Sequence, residues 1–163
     1  MAQRITEQPN GEQVQPRALS RGRWLPVVLC SVGFDLEGGT PAPSEARHRV
    51  LEALGEVLEP EESSNMALLV SELVTNAVRH AGMVEQGDVI RVHAAVAPER
   101  TRIEVCDRGP GFDPGTPKLR SFEDGGGGLG LVLLDRLSVA WGVATDDDVC
   151  VWAEFMRPMG VSA

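Results

Sequence analysis

The stretch Ser71-Glu-Leu-Val-Thr-Asn-Ala-Val-Arg-His80 constrains this chain most, because it sets polar groups where a helix should be apolar. From Asn65 to Ala81 most residues are helix formers or apolar, among them Met66, Leu69, Val70, Leu73, Val74, Ala77 and Val78. Such a helix is buried over most of its circumference. Yet Glu72 and Asn76 stand one turn apart on the same face, with Arg79 and His80 a turn further on. An acid, an amide and a base in a narrow stripe need partners or a bound ligand. An isolated stripe of this kind is more often a solvated edge of ion pairs. Two glycine-rich segments downstream reverse that weighting.

The first is Val105-Cys106-Asp107-Arg108-Gly109-Pro110-Gly111-Phe112. A carboxylate at the end of a buried strand can accept a hydrogen bond from a ligand's amino group, and glycines let the backbone approach closely. Alone, the motif reads more readily as a turn with an Asp cap. The second is Gly125-Gly-Gly-Gly128-Leu129-Gly130-Leu131, which runs straight into the apolar segment Val132 to Leu137. Glycines entering a helix N-terminus offer bare amides and the positive end of a dipole to an anion such as a triphosphate. No Lys-Ser/Thr follows them, so this is not a Walker A loop. Nor does a βαβ unit with a ribose-binding acid follow, which excludes a Rossmann site.

Around these motifs the chain reads as one domain. Its 163 residues suffice for a proper core. Residues 1–20, rich in Gln, Glu, Pro and Arg, read as a disordered arm, residues 21–157 as the domain and 158–163 as a tail. Trp24 to Leu36 should hold a first strand or a pair of short ones. Ser44 begins a helix to about Leu58, and Pro60 to Ser64 breaks and recaps the chain before the key helix, which Gly82 ends. Residues 88–97 and 101–106 alternate as paired strands around Pro98-Glu99-Arg100. Asp107 to Gly128 has no periodicity and reads as a functional loop or lid. Leu129 to Leu137 is a short helix, and Val139 to Ala144 with Val149 to Phe155 a final hairpin. This order predicts an α+β, two-layer sandwich with helices on one face of a mixed sheet.

Composition excludes several functions. A net charge of −9 with no Lys/Arg cluster argues against a nucleic-acid surface, and only 4% aromatic residues against base-stacking platforms. The apolar stretches are too short to span a bilayer, and polar residues stand where a signal peptide would be hydrophobic. Cys30, Cys106 and Cys150 lie in apolar runs without CxxC spacing and read as buried thiols of a reducing compartment. The expected location is the cytoplasm, with no membrane association. His48 and His93 read as surface residues.

In this order and spacing, the three motifs resemble the N, G1 and G2 boxes of the GHKL ATP-binding superfamily. More closely, the stretch from about Phe34 to Phe155 is similar to the small bacterial anti-sigma-factor serine/threonine kinases, with Val151-Trp152-Ala153-Glu154 also in their style. The resemblance implies a Bergerat-type fold with ATP and Mg²⁺ as cofactors. Asn76 would be the metal ligand, an oxygen donor suited to that ion, and Glu72 the general base. Asp107 would accept from the adenine amine, with Gly109 and Gly111 shaping its pocket. Arg79 would lie near the phosphates, and Gly126, Gly128, Leu129 and Gly130 would form the phosphate-facing lid and helix start. Phosphoryl transfer then works by positioning and charge neutralisation.

The implied partners are a sigma factor, an anti-anti-sigma protein, or both. A homodimer is also implied, with the first helix and preceding strand as its surface. The chain departs from the pattern in three ways. No Arg accompanies the glycines after Glu123-Asp124, Asp148-Val149-Cys150 replaces a Gly-Thr before the last strand, and no helix hairpin carries a phospho-accepting His. The missing arginine keeps open a second reading, a nucleotide-dependent binding module without transfer. An ATPase fragment of a larger machine is a weaker third.

Overall fold

The structure is a computed structural model that describes residues 3–4, 27–80, 89–110, 129–145 and 147–158. Its elements are β1 (Gln3–Arg4), β2 (Cys30–Glu37), α1 (Ala42–Leu54), α2 (Pro60–His80), β3 (Val89–Val96), β4 (Arg100–Asp107), α3 (Leu129–Leu137), β5 (Ala140–Thr145) and β6 (Val149–Met156). They form one six-stranded sheet in the order β1-β5-β6-β4-β3-β2. Neighbours from β5 to β2 pair antiparallel and β1 pairs parallel to β5, so the sheet is mixed. The expected α+β architecture is the observed one.

One face of the sheet carries the helices. Along β4, Ile103 and Val105 enter the core beside Val92 and Ile90 of β3 and Val151 and Ala153 of β6. Over them lie Leu69, Val70, Leu73 and Val74 of α2 and Ala46, Val50 and Leu54 of α1. At about 25 cal/mol per Å², burying each such branched side chain contributes roughly 1.5–3 kcal/mol, which makes α2 the main keel of the core.

Side chains alternate along a strand, so Arg102, Glu104 and Cys106 point to the opposite face. That face is also buried here, and strongly polar. Arg102, 0% exposed, donates to Glu154 at 3.0 Å and to Glu104 at 3.1 Å, with its guanidinium 4.5 Å over the Trp152 ring. Trp152 lies so close to β5 that a Cβ on Gly142 would meet its indole at 3.0 Å.

Helix starts differ from expectation for local reasons. α1 begins at Ala42 because Pro43 is tolerated in a first turn, where its missing N–H has no intrahelical role. Likewise Pro60 opens α2 instead of breaking the chain. The Glu62 carboxylate reaches back to the Glu59 N–H at 2.9 Å, half of a capping box. Glu62 also accepts from Arg157 beyond β6 at 3.0 Å, and that guanidinium donates to the Val57 carbonyl at 2.6 Å. The first turn of α2 is thereby fastened to the sheet.

The structure also describes two residues of the N-terminal arm and corrects the reading of the cysteines. Gln3–Arg4 of the arm pairs with β5, whose outer edge offers unpaired backbone groups; residues 5–26 lie outside the described residues. The three cysteines are not all thiols: Cys106 and Cys150 are joined by a disulfide, and Cys30 is free. The two bonded residues are direct register partners on β4 and β6, with Cα atoms 4.0 Å apart. They are 44 positions apart in the chain, so the register that joins them is invisible to residue spacing.

Candidate functional site

The polar stripe of α2 meets the start of α3. A Cβ placed on Gly130 would lie 2.7 Å from Asn76 Nδ2 and 3.3 Å from Glu72 Cβ. A side chain here would force the Asn76 amide to shift, so glycine suits the close approach of α3 to α2. Glu72 and Asn76 are each half-buried, while Leu73, Val74 and Ala77 between and beside them are buried. Arg79 is exposed in the last turn of α2. α3 is held in turn by Leu134, fully buried, and by Trp141 Nε1 of β5, which donates to Asp135 at 3.2 Å.

The polar groups just before Glu72 and Asn76 are occupied. Ser71 Oγ donates to the Ala67 carbonyl at 2.7 Å and Thr75 Oγ1 to the Ser71 carbonyl at 2.7 Å. Such back-bonding ties the Ser71 and Thr75 hydroxyls to the helix's own carbonyls. Arg47 of α1 donates to Ser71 Oγ at 3.3 Å, one residue before Glu72, and so braces the stripe from the neighbouring helix.

Asp107 is the last residue of β4 and by alternation shares the face of Ile103 and Val105, the side on which α2 packs. Its Oδ1 accepts the Gly109 N–H at 2.6 Å, an Asx turn that fixes the carboxylate at the strand end. Glu72, Asn76 and Gly130 are thus gathered, and Asp107 and Gly109 reach the same side of the sheet. Gly111, Gly126 and Gly128 lie outside the described residues, and Leu129 is described only as the first residue of α3.

One ion-pair cluster beside the site has partners that no residue spacing indicates. Asp148, at the entry to β6, accepts from Arg91 at 3.4 Å and lies 3.8 Å from Arg108, the residue after Asp107. It stands where the resemblance leads one to expect a small residue. His48 is exposed, whereas His93 is half-buried opposite Glu104 in the β3–β4 ladder. A separate small pocket is lined by Glu62, Met66, Leu69, Leu137 and Phe155. It sits at the first turns of α2, far along the helix from Asn76.

Residues 41–154 match the histidine kinase-like ATPase domain family. The chain is 32% identical to a serine-protein kinase RsbW of Bacillus licheniformis, over 53% of this chain and 60% of that protein. It is 31% identical to the serine-protein kinase RsbW of Bacillus subtilis (strain 168), over 47% of this chain and 54% of that protein. The chain therefore spans little more than half the length of either relative. No helix among the described residues is long and apolar enough to cross a membrane.

Proposed function

Because the chain belongs to the histidine kinase-like ATPase domain family, we propose that it binds Mg·ATP where α2 meets α3 and acts as an anti-sigma-factor-type serine/threonine protein kinase. Its substrate would be a Ser or Thr of an anti-anti-sigma protein, and a sigma factor its second partner. The observation that carries this reading is Gly130 seated against Asn76 and Glu72, since it joins two separate sequence motifs at one point. The serine-protein kinase names of the two relatives point the same way.

Asn76 suits a hard cation. Its amide nitrogen faces Gly130, which leaves the carbonyl oxygen at the other end of the group as a ligand. Mg²⁺, when bound, neutralises phosphate charge. Glu72, one turn earlier, is placed to take the proton of an attacking hydroxyl. Asp107, held by the Gly109 amide, accepts from the adenine amine. Arg79 supplies positive charge near the phosphates, and the start of α3 supplies the amide end of its dipole. Gly111, Gly126, Gly128 and Leu129 complete the nucleotide contacts. A cytoplasmic homodimer is part of the reading. Exposed Val27, Val28 and Leu29, leading into the edge strand β2, support that surface.

A second reading, sequestration of a regulator without transfer, is favoured by the absence of arginine from the Gly125–Gly130 run. One pair of experiments separates them. Mg·ATP should raise the melting temperature of the wild type and not of Asp107→Asn, because a ligand specific to the folded state stabilises it by mass action. Glu72→Gln should keep that shift and lose transfer to an anti-anti-sigma substrate. Equal transfer by wild type and Glu72→Gln would remove Glu72 as the base; no shift in the wild type at millimolar ATP would remove the nucleotide site.

A further inference from the structure

We propose that Cys106 and Cys150 form a reversible thiol–disulfide site that sets the affinity of the nucleotide pocket. The inference rests on the nucleotide-binding reading above. Both residues face the side of the sheet away from the helices, bonded to one another and beside Glu104. Cys106 is buried, but Cys150 is half-buried and is the sulfur that an external thiol or oxidant reaches.

The bond stands at the base of the site. Cys106 immediately precedes Asp107, and the next rung of the ladder pairs Asp107 with Val149, the residue before Cys150. Asp107 is the last residue of β4, where a two-strand ladder frays most easily. The covalent closure therefore holds the strand end that delivers the expected adenine acceptor. It also ties together the two ends of the chain segment that contains Gly109 and Gly130. With the bond open, ordering this strand end must be charged against nucleotide binding, so the reduced protein binds more weakly.

The chemistry balances with ordinary cellular redox partners. A peroxide oxidises the Cys150 thiolate to a sulfenic acid as its O–O bond breaks and hydroxide or alkoxide leaves. The Cys106 thiol then displaces water from that sulfur, so two thiols have lost two electrons and two protons to the peroxide. For reduction, an external dithiol attacks Cys150 Sγ and Cys106 departs as the thiolate. The second thiol then resolves the mixed disulfide and leaves as a cyclic disulfide.

The test uses the full chain in two redox states, one treated with hydrogen peroxide and one with a dithiol, each then freed of reagent. Alkylation and intact mass count the thiols, and calorimetry gives the Kd for Mg·ATP. Expected are one alkylated cysteine (Cys30) in the oxidised form, three in the reduced form, and a Kd at least about fivefold tighter when oxidised. Cys106→Ser and Cys150→Ser should hold the weaker value in both treatments, while Cys30→Ser should respond as the wild type does. Equal Kd in the two wild-type states overturns the coupling and leaves the nucleotide site standing. Binding in neither state overturns the nucleotide reading and the coupling with it. Thiols that never bridge, but are shielded from alkylation by added Zn²⁺, overturn the proposal in favour of a metal site at Glu104, Cys106 and Cys150.

Discussion

Gly130→Ala tests the joint between α2 and α3 directly. The added methyl would stand 2.7 Å from Asn76 Nδ2, where ordinary contact begins near 3.4 Å, so the two groups must separate by about 0.7 Å. Overpacking of this kind costs ~1–3 kcal/mol, against which Ala favours a helix over Gly by up to about 1 kcal/mol. Net stability should therefore fall by no more than about 3 kcal/mol, and the protein stays folded. Strain relieved by turning the Asn76 amide away must be restored when Mg·ATP binds. At 1.4 kcal/mol per tenfold, that costs between about fivefold and about 150-fold in Kd. Titration with a fluorescent ATP analogue and Mg²⁺ reads the effect, and a urea melt reads the stability. Gly142→Ala is the matched control, since its methyl meets the Trp152 indole on the other face and should lower stability without moving Kd. A folded Gly130→Ala that binds Mg·ATP within twofold of wild type would refute the reasoning.

The remaining predictions concern single side chains. Asn76→Ala should abolish the gain in ATP affinity on adding Mg²⁺, a loss of about tenfold or more if one charge-assisted contact is worth ~1.5–3 kcal/mol; titrations with and without EDTA check it. Arg102→Ala should cost about 3–5 kcal/mol in urea unfolding, because Glu104 and Glu154 would lose the buried cation between them. A shift in midpoint below the equivalent of 1 kcal/mol, on the order of a surface pair, would show that network to be dispensable. Asp107→Asn and Glu72→Gln, set out above, separate nucleotide recognition from transfer.

What could be read from the sequence follows from the range of the interactions involved. α3 has its expected bounds, and β3, β4, β5 and β6 lie within a residue or two of theirs, because alternation and helical period are local signals. The grouping of Glu72 with Asn76 was equally local. Its meeting with Gly130 became an expectation only through resemblance, since no periodicity links positions so far apart. α2 starts before the expected Asn65 because Pro60 and the Glu62 side chain act together as a cap, while Pro read singly signals a break. The disulfide and the Arg102 network were hidden for one reason: both arise between β4 and β6, whose register is a tertiary fact. Asp148 departs from the family pattern, and only the fold shows it holding Arg91 and approaching Arg108.

β6, the last strand in chain order among the described residues, lies in the interior of the sheet, between β5 and β4. Until it is synthesised, β4 and β5 each present an unfilled edge, and the ladder that bears Asp107 lacks one wall. Synthesis at about 5–20 residues per second leaves that interval open for seconds, the period in which unpaired edges recruit other chains. A message cut short before Val149 would yield not a weakened protein but one with two adhesive borders and an incomplete site. Selection on translation speed and chaperone access should therefore bear on the β5–β6 hairpin more than on α1 and α2.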